Sequence, residues 1–377
     1  MQCQGIKKDG TQCKRVIAIG NYCWQHQQKG EQKSNNDVNY NLDKETEFLM
    51  YSYLPLEEVL TIFKNDINTR DKIIKRYFRN LPEINDASGE GELETVKYLI
   101  SLGVKPNKFT LYKAGESRNL ELVMYLVGLG IKPGKGVLHL ASSNGNLELV
   151  RYLIGLGVEP DKLILRDASY SGNLELVMYL LSLGMKPKKS NLDLAGKSGN
   201  LELVMYLIGL GIKPDNHTLD NASYSGNLEL VRYLIGLGIT PNKVVLDQGS
   251  RSGNLELVRY LIGLGITPNK VVLDQGSRSG NLELVKYLIH LGLEPDKLTL
   301  GSASESGNLE LVKYLISLGL KPDKFTLYWG IKSRNLEIVI YLIGLDIKPD
   351  KETLRLAKEN GNIELLEYLK KAMTQKK

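Results

Sequence analysis

Apolar and polar residues along this chain repeat with a period far longer than one helix or strand. A run close to Leu-Glu-Leu-Val-x-Tyr-Leu begins at Leu93, Leu120, Leu147, Leu174, Leu201, Leu228, Leu255, Leu282, Leu309, Leu336 and Ile363, a constant spacing without insertion or deletion. Inside each run the apolar positions are spaced three and four apart, which predicts a helix of two to three turns. The unit from Asn173 to Asn200 shows how the rest follows. Asn173 is placed to cap that helix, and the next Glu lies in its first turn, where it complements the dipole. Gly184 ends the helix, and Pro187 prevents its resumption. Ten prolines share this phase, from Pro106 to Pro349, and an Asp or Asn often follows, such as Asp161, Asn242 or Asp296, placed to cap a second helix. Leu192 and Ala195 face inward from that helix, and Gly199 turns the chain back to Asn200. The unit is helix, tight turn, helix, short link. A fixed period of this kind predicts an all-α helix-turn-helix solenoid of about eleven units over residues 82–373, the first and last degenerate.

Outside the array the pattern changes. Residues 1–29 hold all three cysteines, residues 30–46 form a polar linker, residues 47–81 turn helical and apolar, and residues 374–377 are a short basic tail. No apolar run reaches the 18 or more residues of a membrane span, and the N-terminus has no apolar signal region. An odd cysteine count argues against a disulfide framework and for a reducing, intracellular and cytoplasmic setting. The net charge of +6 is mild for 377 residues. Most of it comes from Lys7, Lys8, Lys14, Arg15 and Lys29 against Asp9, so it does not single out nucleic acid as the partner.

Leu163-Ile-Leu-Arg-Asp-Ala-Ser-Tyr-Ser-Gly-Asn-Leu-Glu-Leu-Val-Met-Tyr-Leu-Leu-Ser-Leu-Gly-Met matches the Leu, Ala, Gly, Val, Leu and terminal Gly positions of the ankyrin repeat, and the array resembles that family over residues 82–373. The resemblance implies a protein partner held on a concave face lined by the inner helices, with no chemistry performed. Two departures stand out. The period is six residues shorter than the ankyrin period, and the loss falls where ankyrins build a β-hairpin, so the fingers are expected to be trimmed away. The family's His survives only as His139. The uniform short repeat and the N-terminal module are similar to ankyrin-repeat proteins of giant DNA viruses, which implies action in a host cell. Leu54-Pro55-Leu56-Glu57-Glu58-Val59-Leu60-Thr61-Ile62-Phe63 resembles the opening of an F-box, which implies docking onto a ubiquitin ligase core. The alternative is a cap on the apolar end of the array.

Phases that vary between units mark candidate contact positions. They fall on the inner helix at spacings of three to four residues and so form a stripe. Arg166 and Tyr170 lie on it beside Leu163, Tyr224 beside His217, and Tyr328 and Trp329 beside Phe325. Asp193, Asp220, Asp247 and Asp274 form an acidic ladder there. The ladder either receives a basic segment of the partner or is neutralised locally, Asp247 by Arg251 and Asp274 by Arg278 at i, i+4. The invariant Tyr, from Tyr98 to Tyr368, is expected to pack between neighbouring outer helices with its hydroxyl wet. Arg118 and Arg334 replace a turn glycine, at a cost of about 1–2 kcal/mol if left-handed. Cys3, Cys13, Cys23 and His26 supply three thiolates and one imidazole, a set suited to structural, tetrahedral zinc. The alternative there is free thiols. With Lys7, Lys8, Lys14 and Arg15 nearby, that module opens a second alternative function, association with nucleic acid. No catalytic constellation appears, and no small-molecule substrate is expected. Gly128, Gly130 and Gly134 fail the spacing of a phosphate loop. The stretch Val231–Leu257 returns without a single change as Val258–Leu284, which points to duplication.

Overall fold

The computed structural model describes residue 51, residues 54–78 and residues 80–374. The described residues form 24 helices and no strand. The chain divides into two compact units, residues 1–133 and 134–377. Unit 1 holds α1 (Leu56–Ile62), α2 (Ile67–Tyr77) and two helix pairs, α3 (Ile84–Glu90) with α4 (Leu93–Ser101) and α5 (Lys108–Glu116) with α6 (Leu120–Gly128). Unit 2 begins with α7 (Lys135–Ser143), α8 (Leu147–Gly155), α9 (Ile164–Ser171), α10 (Leu174–Ser182), α11 (Lys189–Ser198) and α12 (Leu201–Gly209). It continues with α13 (Asn216–Ser225), α14 (Leu228–Gly236), α15 (Lys243–Ser252), α16 (Leu255–Gly263), α17 (Lys270–Ser279) and α18 (Leu282–His290). It ends with α19 (Lys297–Ser306), α20 (Leu309–Ser317), α21 (Lys324–Lys332), α22 (Leu336–Gly344), α23 (Lys351–Glu359) and α24 (Ile363–Thr374). Odd-numbered helices from α3 onward are the first of each pair.

Within unit 2 each first helix packs along the next, while the second helices lean mainly on the first helix of their own pair. The core lies between the two rows. In α10, Leu176, Val177 and Leu180 are fully buried, and Leu165 and Ala168 of α9, the helix it packs on, are buried with them. Each such aliphatic contributes roughly 1.5–3 kcal/mol on leaving water. The links between pairs contain no strand, so the trimmed fingers expected from the short period are what the chain has.

The invariant Asn does more than cap. In Asn227 the Oδ1 accepts from the Leu230 N–H at 3.0 Å, and the Nδ2 donates to the Gly199 carbonyl of the preceding pair at 2.8 Å. The same bridge recurs at Asn173, Asn200, Asn254, Asn281, Asn308 and Asn335. One side chain therefore starts a helix and ties two pairs together. The glycine it reaches is left-handed and crowded. At Gly172 φ is 76° and an added Cβ would lie 2.9 Å from the Ser198 Oγ. Arg118 and Arg334 hold the same phase at φ 63° and 61°, as expected, and Asp346 does likewise at φ 70° in the phase of Gly184.

The first helices are capped as the sequence predicts at Asn242 and Asp296. Asp161 differs. Its Oδ1 accepts from the Leu163 N–H at 2.8 Å, but the helix starts only at Ile164.

In unit 1, α1 and α2 cover the open side of the first pair. Leu56, Val59, Leu60, Ile73 and Ile74 form a buried cluster that Tyr98 of α4 joins. Glu92 stands where later pairs have Asn, and Glu57 of α1 supplies the missing cap. Its carboxylate accepts from the Glu94 N–H at 3.0 Å and the Thr95 N–H at 2.6 Å. Cys3, Cys13, Cys23 and His26 lie outside the described residues, as does the polar linker. Among the described residues no group of three or more His, Cys, Asp or Glu could hold a metal ion.

Candidate functional site

Two rows of side chains run along the exposed face of the first helices in unit 2. They arise because equivalent residues of successive repeats sit at the same place on adjacent helices. One row contains Arg166, Asp193, Asp220, Asp247 and Asp274. The other contains Tyr170, Lys197, Tyr224, Arg251, Arg278 and Glu305.

The second row stacks cations on aromatic rings. The Lys197 ammonium lies 5.7 Å from the Tyr170 ring centroid and 5.2 Å from that of Tyr224, and the Arg251 guanidinium lies 5.5 Å from Tyr224 on its other side. Each contact contributes about 0.5–1 kcal/mol at an exposed site. The row therefore orders its own side chains while leaving Tyr170 50% and Tyr224 38% exposed. Lys197 is the residue that sequence reasoning missed. Its signal was the alternation of ring and cation along a single phase of the repeat, from Tyr170 to Arg251, which inspection of single units does not show.

The acidic row is not a uniform ladder. Asp193 pairs with Lys189 and accepts from the Thr218 hydroxyl at 2.8 Å. Asp274 pairs with Lys270 at 2.8 Å and accepts from the Thr299 hydroxyl at 2.7 Å. Asp220 and Asp247 each keep a buried Oδ1 without a hydrogen-bond partner, and burial holds both carboxyls above the ordinary carboxylate range. The cause is one phase of the next pair. Thr218 and Thr299 donate to the aspartate before them, whereas Val245 and Val272 occupy that phase after Asp220 and Asp247 and have no donor. The i, i+4 pairs predicted for Asp247 with Arg251 and Asp274 with Arg278 are not formed among the described residues. Arg251 instead faces Tyr224, and Arg278 reaches across to Glu305 at 3.1 Å. Lys189 and Lys270, one turn before their aspartates, do the neutralising.

His139 is a strut between helices. Its Nδ1 lies 2.6 Å from Asp167 and its Nε2 lies 3.1 Å from Asp161. Burial alone would lower its pKa, but the two carboxylates prevail and hold the imidazolium above the ordinary histidine value. With both nitrogens engaged, the ring serves packing.

Trp329 and Tyr328 meet each other edge to face at 5.6 Å, and Phe325 joins both. The Trp329 ring lies over Gly301, where an added Cβ would come within 3.3 Å of its Cδ1, and Lys332 covers it at 4.5 Å. Of the aromatic positions singled out from the sequence, Tyr328 and Trp329 are half-buried, whereas Tyr170 and Tyr224 are exposed.

A groove of about 710 Å³ opens beside the ring–cation row, across α9, α11 and the start of α13. Lys162, Arg166, Lys186, Lys188 and Lys197 line it, with Asp193 the one carboxylate among them. No helix among the described residues is long and apolar enough to cross a membrane.

Residues 84–164 and 273–353 match the family model for ankyrin repeats in three copies. The first matched stretch runs from unit 1 into unit 2, and the second lies in unit 2. Among solved structures, the human ASB11 ankyrin repeat domain is 20% identical, with 49% of this chain and 98% of that chain covered at a TM-score of 0.34. The maize pentatricopeptide repeat protein PPR10 is 15% identical, with 89% of this chain and 59% of that chain covered at a TM-score of 0.34. No curated protein matches the chain.

Proposed function

We propose that this protein is a non-enzymatic scaffold that holds a protein partner on the first-helix face of unit 2, the face that is concave in ankyrin-like arrays. Ankyrin repeats generally mediate protein–protein interaction, and such repeats stand in this chain. The observation that carries the proposal is the row Tyr170, Lys197, Tyr224, Arg251. It offers exposed rings and cations already held in place, its Tyr and Arg being residue types that dominate binding hot spots. The face also varies from pair to pair, as a recognition surface must. Residues 54–78 support a capping role. The apolar residues of their F-box-like stretch, Leu56, Val59 and Leu60, are buried within unit 1, and Glu57 caps α4. For the segment ahead of them, the cysteine and histidine spacing supports a structural zinc held by Cys3, Cys13, Cys23 and His26. Elemental analysis of the purified chain checks for that metal.

The test compares full-length chains as bait in cell extract, with captured proteins identified by mass spectrometry. Tyr170→Ala with Tyr224→Ala should lose a partner that the parent chain captures. Arg232→Ala with Arg259→Ala, on the second helices, should keep it. A partner retained by the first double variant and lost by the second would overturn the assignment of the face.

A further inference from the structure

The groove across α9, α11 and α13 departs from the later pairs of unit 2 at one phase. The residue directly after each proline precedes the next first helix, and from α13 through α23 it is Asp215, Asn242, Asn269, Asp296, Asp323 and Asp350, each capping that helix by accepting backbone N–H with its side chain. At α11 that residue is Lys188. A lysine carries three donors and no acceptor. The first turn of α11 therefore lacks the capping oxygen that the following first helices have, its Asn191 Oδ1 taking the Lys188 N–H at 2.8 Å instead, and a positive charge stands at the positive end of the helix dipole.

The surroundings match. Lys162, Arg166, Lys186 and Lys188 make no ion pair among the described residues, and Lys197 is held between two rings. Asp193, the lone acidic side chain of the lining, is already taken by Lys189 and Thr218. The groove is thus an unneutralised cationic site built around an uncapped helix start, and Leu163, 52% exposed, adds an apolar contact at its edge.

We propose that this groove takes an extended acidic segment of a protein partner, and that one carboxylate of that segment caps α11 beside Lys188. The inference rests on the scaffold function above and specifies the chemistry of its partner. Three neighbouring first helices span roughly 20 Å at helix-packing distances, which accommodates about six residues of extended chain. A peptide fits better than a nucleic acid. The cations are confined to one groove with carboxylates on either side, among them Asp161, Asp167 and Asp215, whereas a phosphodiester chain is held by a longer continuous basic track.

The test is fluorescence anisotropy with the full chain and three labelled probes: a decapeptide of Asp and Glu with one central Leu, the same peptide with Lys for each acid, and a ten-nucleotide uridine RNA. Only the acidic peptide should bind, and less tightly as salt rises. Lys188→Asp should weaken it at least about tenfold, because it restores an internal cap and removes a cation. The same variant should melt at a higher temperature than the parent chain, so lost binding cannot be ascribed to misfolding. Arg166→Gln with Lys186→Gln should weaken binding as well, and Lys286→Gln with Lys313→Gln on the second helices should not. Unchanged affinity in Lys188→Asp, equal binding of the basic peptide, or tighter binding of the RNA would each overturn the proposal. If Lys188→Asp still captures the partner that the Tyr170 and Tyr224 variant loses, the acidic-segment inference fails while the scaffold function stands.

Discussion

The two helix rows of unit 2 are built from the same repeat and behave differently. Along the second helices one contact recurs in five places, interrupted where Met178, Met205 and Ile340 replace the cation. Arg151 lies over Tyr179, Arg232 over Tyr260, Arg259 over Tyr287, Lys286 over Tyr314 and Lys313 over Tyr341, at 4.7 to 5.9 Å. Each tyrosine is half-buried under a cation from the pair before it. Along the first helices, ion pairs, orphaned carboxylates, a ring–cation row and an aromatic cluster follow one another. With the asparagine bridge, which recurs at every step from Asn173 to Asn335, the second row joins pairs in a regular way, which frees the first row to vary. Selection for a partner can act on the first helices without disturbing the joints.

The widest gap between joint and surface should come from the asparagine bridge. Asn227→Ala removes a helix cap and an interpair hydrogen bond together. It should cost about 2 kcal/mol of stability, roughly 1 for each, measured by denaturant unfolding. Asn227→Asp keeps the cap oxygen and should recover about half. A loss under a few tenths of a kcal/mol would mean that the bridge contributes nothing.

A smaller effect probes the first row itself. Val245→Thr and Val272→Thr place a hydroxyl where Thr218 and Thr299 donate. Each should stabilise the chain by about 0.5–1.5 kcal/mol at neutral pH, by satisfying the buried Oδ1 of Asp220 or Asp247. The pH dependence has a defined sign. Burial raises these carboxyls in the folded state, so folding favours their protonated form. The penalty for their charge is fully present above the raised folded value. It fades as pH falls toward the unfolded value near 3.9, where the gain from the threonines should shrink with it. A gain that is constant with pH would show that the hydroxyl acts elsewhere. The smallest expected effect is Arg232→Ala, which removes one exposed cation–ring contact and should cost no more than about 1 kcal/mol.

Much of this was legible in the constant period of the array. The helix pairs, the capping Asn, the proline phase and the left-handed Arg118 and Arg334 follow from local rules that act within one unit. What escaped acts between units. Asp247 and Arg251 satisfy the i, i+4 rule on paper, yet Arg251 finds the Tyr224 ring on the neighbouring helix and Asp247 finds no donor. The Glu57 cap of α4 joins helices from different parts of unit 1 and has no periodic signature. The difference between paired and orphaned aspartates lay in Thr against Val on the next first helix. That comparison becomes meaningful only once first helices are known to lie side by side.

The identical stretches from Val231 to Leu284 carry a joint that mates with its own copy. Asn281 of the second copy reaches Gly253 of the first at 2.8 Å, just as Asn254 reaches Gly226 of the pair before, and the arginine–tyrosine stacks match at 4.9 and 4.8 Å. A third copy spliced in after Leu284 would meet its neighbours through surfaces that already fit. Such an insertion would lengthen the array by a whole rung while every seam stays sound.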